Sequence, residues 1–178
     1  MYFKTVINAL FIFSLVLAQF SFIAGSPGWL ASLNLILVVF VFILGLVNFK
    51  TALWLAIIAG FILDIFSFRP FGIYLISFPL VVITAELMLV NFFTNRSLYS
   101  FLALTFFSTI IYESLLFIIG RAAVLINGAE IISVPASSFF FLLAKESIIN
   151  LLVVLFIFYA INFISNKFKP VFLIKQNS

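Results

Sequence analysis

Residues 60–75 read Gly-Phe-Ile-Leu-Asp-Ile-Phe-Ser-Phe-Arg-Pro-Phe-Gly-Ile-Tyr-Leu, or GFILDIFSFRPFGIYL. Asp64 and Arg69 flank a Pro-Phe-Gly turn, with apolar residues pressing on the turn from both sides. The surrounding chain explains which solvent this stretch meets. Of its 178 residues, 66% are hydrophobic and 8% are charged, and the mean hydropathy is +1.41. Soluble domains carry roughly 25% charged residues, so the composition is that of an integral membrane protein. Asp64 and Arg69 therefore sit at a break between two greasy helices.

Working outward from that break, six apolar segments can be marked at roughly 5–24, 30–48, 51–66, 73–93, 98–119 and 138–163. About 20 apolar residues are needed to cross the hydrocarbon core, and all but the short third segment approach that length. The expectation is an all-α bundle of about six transmembrane helices forming a single domain over 1–178, with no separate soluble domain. Breaks between segments carry turn residues: Gly25-Ser26-Pro27-Gly28, Lys50, Arg69-Pro70-Phe71-Gly72 and Thr94-Asn95-Arg96-Ser97. The longest connection is expected over 120–137. The first segment has an apolar run of about 20 residues, longer than the roughly 7–15 of a signal-peptide core. It reads as a retained span.

Basic residues set the expected orientation. With a cytoplasmic N-terminus, Lys4, Lys50, Arg96, Lys167, Lys169 and Lys175 fall inside, whereas Arg69 and Arg121 fall outside. That bias follows the positive-inside rule and puts both termini in the cytoplasm. The net charge of +4 is accounted for by topology, and no nucleic-acid partner is expected.

The chain contains no cysteine and no histidine. Disulfides, thiolate chemistry, imidazole bases and the common zinc and haem sites are excluded for this chain alone. The five acidic residues, Asp64, Glu86, Glu113, Glu130 and Glu146, are scattered over different segments. No nucleophile has a base beside it in sequence, and no glycine-rich phosphate loop occurs. No catalytic residue, cofactor or metal is expected.

What remains is polar chemistry inside the bundle. Ala52, Ala56, Gly60 and Asp64 recur every four residues and share one helix face. Small residues at this spacing let a neighbouring backbone approach closely, which matters where lipid gives no hydrophobic drive to helix association. Asp64 ends this seam, and Arg69 is placed to pair with it across the turn. Pro70 sets the turn, and Gly72 supplies backbone freedom that a residue with Cβ lacks. Pro79 is expected to bend the fourth helix. Glu86, Glu113 and Glu146 are intramembrane carboxyl groups; Glu113 shares a face with Thr105 and Thr109, and Glu146 with Asn150. A charge at the bilayer centre costs about 3 kcal/mol or more, so these groups are expected to face the bundle, be protonated, or be paired. Both a proton relay and simple cross-linking of helices by hydrogen bonds satisfy that requirement.

The run Ala59-Gly60-Phe61-Ile62-Leu63-Asp64-Ile65-Phe66-Ser67, followed by Pro70-Phe71-Gly72-Ile73-Tyr74, resembles the signature of the bacterial rod shape-determining protein family MreD. Gly60, Asp64, Pro70 and Gly72 fall where that pattern wants them, while Phe68-Arg69 replaces the small residues often found there. The likeness is specific over about 59 to 75 and extends to the whole chain only in length, segment number and charge layout. It implies a non-enzymatic scaffold of the cell-elongation machinery, or elongasome, multi-pass in the bacterial inner membrane. Such a subunit supports peptidoglycan synthesis and cell shape beside an MreC-like protein, together with MreB, RodA and penicillin-binding protein 2. The runner-up is the substrate-binding membrane subunit of an energy-coupling-factor vitamin transporter, which has a similar length and six helices. Those subunits carry an Ala-xxx-Ala seam in the first helix. Here Ala9 is followed four residues on by Phe13, and Ala18 by Phe22.

The basic-residue asymmetry yields a direct test. Reporter fusions after Lys50, Arg96 and Lys175 are expected to report cytoplasm, and fusions near Arg69 and Asn127 the outside. Periplasmic reporter activity at the C-terminus would refute the six-span topology.

Overall fold

A computed structural model describes residues 10, 12–23, 25–26, 28–67, 69–93, 97–127 and 136–172. Every regular element among them is a helix. The first, α1, runs through Ile12–Ser21 and passes into a π-helical turn at Gln19–Ile23. A 3-10 turn at Leu30–Ser32 leads to α2 (Leu35–Leu46), then α3 (Phe49–Phe66), α4 (Ile73–Phe92), α5 (Leu98–Asn127) and α6 (Ala136–Phe172).

Four helices, α3 to α6, are long and apolar enough to cross a membrane. Their exposed side chains are large and apolar, among them Trp54, Ile76, Leu87, Val90, Phe107, Ile118, Leu152 and Phe156. The fully or nearly buried polar residues Asp64, Ser77, Thr105, Ser108, Thr109, Ser147 and Asn150 lie inside. Large apolar side chains outside, and the polar side chains of the spans turned inward among an apolar core, form the arrangement expected of a bundle whose solvent is lipid. The chain is an all-α membrane protein.

The expected second span differs in the structure. Its central helix has 12 residues, about 18 Å at 1.5 Å per residue, which is short of the roughly 30 Å hydrocarbon core. The reason is positional. The sequence LILVVFVFILGL is apolar on every side, and α2 packs against α3, α4, α5 and α6. Ile36, Leu37 and Val38 are at most 1% exposed, so α2 is surrounded by protein. A helix without a polar face is buried on all sides, and here its neighbours are helices. Phe40 meets Phe78 edge-on at 5.5 Å, and Phe42 stacks on Phe101 at 5.0 Å.

Two further boundaries shift. The fifth helix does not stop near residue 119 but runs on through Gly120 and Arg121 to Asn127. Arg121 there lies over the Phe117 ring, 4.9 Å from its centroid. The sixth begins at Ala136 and continues to Phe172. The connection expected over 120–137 is thus largely helical where it is described. α4 passes through Pro79 as one continuous helix. Lys4, Arg96 and Lys175, which carried parts of the topology reading, lie outside the described residues, as does Glu130.

The seam on α3 forms as its spacing predicts. Ala52 and Ala56 are fully buried, Asp64 is 4% exposed, and Gly60 is buried with them. A Cβ built on Gly60 would stand 2.6 Å from the Tyr74 carbonyl oxygen and 2.9 Å from the Leu75 Cα. Both neighbours are α4 backbone, which cannot swing aside as a side chain would. Gly60→Ala alone is therefore expected to push α3 and α4 apart, lowering the melting temperature of the purified protein by several degrees. By contrast, Gly45→Ala meets only the Phe101 ring and should be milder. Equal melting temperatures for Gly60→Ala and wild type would show that the seam tolerates a methyl group.

Candidate functional site: the Asp64 corner and the polar interior

The α3–α4 corner is organised by Asp64, in a way that the spacing of charges does not predict. One carboxylate oxygen accepts hydrogen bonds from the Gly72 amide at 3.0 Å and the Leu75 amide at 2.9 Å, and the other accepts from the Tyr74 amide at 3.0 Å. These are amides of the opening turn of α4. Such amides have no partner within their own helix, and an N-cap side chain normally supplies one. The N-cap position here is Gly72, with φ 103° and no side chain to contribute. Asp64 reaches across from the end of α3 and does that work from another helix. Its negative charge also faces the positive end of the α4 dipole.

This corrects the expected Asp64–Arg69 pair. Arg69 is exposed, and its guanidinium lies 5.7 Å from the Tyr74 ring centroid. Asp64 is occupied by backbone. Gly72 has the role expected of it, since a positive φ of this size favours glycine. Ser67 closes α3 with its amide on Leu63 O at 2.8 Å, and Phe61 meets Phe71 edge-on across the turn at 5.8 Å. Pro70 is half-buried between them in sequence.

A second polar system holds the N-terminal end of the buried α2. The Gln19 side chain donates to Leu33 O at 2.8 Å and accepts from the Leu35 amide at 2.9 Å. Asn34 caps its own helix by accepting from the Leu37 amide at 3.0 Å. The Asn34 amide in turn donates to Asn150 Oδ1 at 3.0 Å, and Asn150 Nδ2 donates to Thr109 Oγ1 at 3.1 Å. Asn150 thereby joins α6 to α5 and to the start of α2. Of these residues, Asn150 and Thr109 were legible as polar positions on inward faces. Gln19 and Asn34 were passed over, although an asparagine just before an apolar run is an N-cap signal. Lys145 adds a rim contact, donating to Gly28 O at 2.9 Å.

The intramembrane carboxyl groups separate into two cases. Glu113 and Glu146 come together between α5 and α6, close enough for one carboxyl group to hydrogen-bond the other when it carries a proton, and both side chains are half-buried. Glu86 is half-buried on α4, nine residues beyond Ser77. Among the described residues no three acidic side chains gather in a way that could hold a metal ion. Compared with family models, curated proteins and solved structures, the chain gives no match.

Asp64 acts as a helix cap and not as half of an ion pair. Asp64→Asn retains at most two of the three bonds and turns an NH2 group toward an amide donor. An unsatisfied buried donor costs about 1–3 kcal/mol, so Asp64→Asn is expected to destabilise by about 2 kcal/mol and Asp64→Ala by more. Arg69→Ala should be nearly neutral, and the Asp64→Arg, Arg69→Asp exchange should not rescue. Thermal unfolding of the four variants in detergent checks the order; rescue by the exchange would restore the ion pair as the organising contact.

Proposed function

We propose that this chain is a non-enzymatic scaffold subunit of the bacterial cell-elongation machinery, MreD-like, multi-pass in the inner membrane beside an MreC-like protein. In this reading it supports peptidoglycan synthesis and rod shape through that partner, with MreB, RodA and penicillin-binding protein 2 in the wider assembly. The observation that carries the proposal is the use made of the MreD-like stretch. Gly60 admits the α4 backbone, Asp64 caps α4, and Gly72 turns the chain between them. The signature residues are spent on building a rigid corner, which is a scaffold's use of sequence.

Around this corner the chain presents Phe61, Ile65, Phe66 and Phe71, each about half exposed or more. A fixed backbone beneath exposed aromatic and aliphatic side chains suits docking of a partner helix, because little ordering remains to be done on binding. The expected docking residues are these rim side chains, held in place by Gly60, Asp64, Pro70 and Gly72.

Co-expression with an MreC-like protein from the same genome tests the proposal. An Ile65→Ala, Phe71→Ala variant is expected to purify in normal yield while recovering several-fold less partner. Leu152→Ala, on the exposed face of α6, serves as the control and should recover partner normally. Equal recovery for both variants would remove the corner from the interface. Co-purification with a transporter's coupling subunit, and not with the MreC-like protein, would overturn the scaffold reading in favour of vitamin uptake.

A further inference from the structure

α5 and α6 run antiparallel in a fixed register. Phe117 meets Phe139 at 4.9 Å, Glu113 meets Glu146, Thr109 accepts from Asn150 at 3.1 Å, and Phe101 meets Phe158 at 6.0 Å. Successive contacts move along one helix as they retreat along the other. The carboxyl contact is therefore part of a continuous interface, one turn from the Asn150–Thr109 bond. α4 joins the same layer, because Phe78 stacks on Tyr112 at 5.0 Å. That contact sets Ser77 at the depth of Glu113.

Several polar atoms in this layer are buried and incompletely used. Ser77 is 0% exposed and Ser147 is 3% exposed, and neither hydroxyl has a hydrogen-bond partner. One oxygen of Glu146 is likewise buried without a partner. Buried polar atoms in native proteins are nearly all satisfied, and those that are not call for a functional or solvent explanation. Charged and titratable groups facing the layer come from each neighbouring element. They are Arg69 before α4, Tyr74 on α4, Tyr112 on α5 and Lys145 on α6.

An ionised carboxylate only accepts hydrogen bonds, whereas a protonated one also donates. Two carboxyl groups facing each other one turn from the Asn150–Thr109 bond gain a hydrogen bond when they hold one proton between them and repel when both are ionised. Neither nearby cation forms an ion pair with them among the described residues: the Arg69 guanidinium lies over the Tyr74 ring and Lys145 donates to Gly28 O. We propose that Glu113 and Glu146 form an interhelical proton-binding site, sharing one proton that ties α5 to α6, with the Ser77 and Ser147 hydroxyls as adjoining groups able to accept or pass it. Glu86, on a different level of α4, lies outside this site. The site is separate from the Asp64 corner, and its test needs no partner protein.

Infrared spectroscopy of the full chain in lipid nanodiscs at neutral pH reads the proton directly. Wild type is expected to show a protonated-carboxyl carbonyl stretch that shifts to lower frequency in deuterated buffer. The Glu113→Gln, Glu146→Gln double variant, whose amides can still hydrogen-bond to each other, should lose it. The wild-type minus double-variant difference should amount to one carbonyl per chain, and Glu86→Gln should leave that band unchanged. Absence of the band in wild type overturns the site without recourse to any variant. Survival of the band in the double variant, its loss in Glu86→Gln, or a difference of two carbonyls per chain would also overturn it.

Discussion

Three backbone amides at the start of α4 converge on one carboxylate, that of Asp64, and most of the bundle's outer architecture is arranged around that contact. At a buried helix start the amides cannot turn to water, and each one left unsatisfied would cost about 1–3 kcal/mol. The glycine at the N-cap of α4 permits a sharp turn but offers no side chain. The aspartate must therefore come from elsewhere, and it can reach only if α3 lies against α4 almost backbone to backbone. Gly60, one turn before Asp64, makes that approach possible. The alanines at 52 and 56 continue it along the helix. Cap, turn and seam are thus one mechanical unit, in which failure of any part exposes the others.

The same problem recurs at the start of α2 and receives a different solution. There the exposed amides are met by three side chains from three places in the chain: Gln19, Asn34 and Asn150. These side chains satisfy the backbone at Leu33, Asn34, Leu35 and Leu37, where α2 enters the packed interior. Asn150 spends both ends of its amide, one on α2 and one on Thr109. The interior polarity of this protein is therefore largely architectural. The carboxyl pair and the free hydroxyls around it stand apart from that pattern.

Helical class, membrane character and the α3 seam were legible in the sequence because each rests on local periodicity or bulk composition. Ala52, Ala56, Gly60 and Asp64 announce a shared face through their spacing alone. Partner choice was less legible. Asp64 and Arg69 are close in sequence and opposite in charge, yet the carboxylate is taken by amides that every helix start possesses and that no residue letter displays. The length of α2 was hidden for a related reason. An all-apolar run in a membrane protein reads equally as a span facing lipid and as a core helix facing protein, and only the packing of four neighbours decides. Glu113 and Glu146 are 33 positions apart, so their meeting depends on the register of α5 against α6. Single-helix patterns carry no information about that register.

The bond between Asn34 and Asn150 spans 116 residues of chain. During synthesis the start of α2 is made early, while the side chain that satisfies its amide arrives only with the last helix. At roughly 5–20 residues per second, the ribosome needs several seconds or more to cover that distance. By then α3, α4 and α5 already stand beside α2, but the amide that opens it has no partner until Asn150 arrives. The polar end of the buried helix is therefore completed last, when α6 docks.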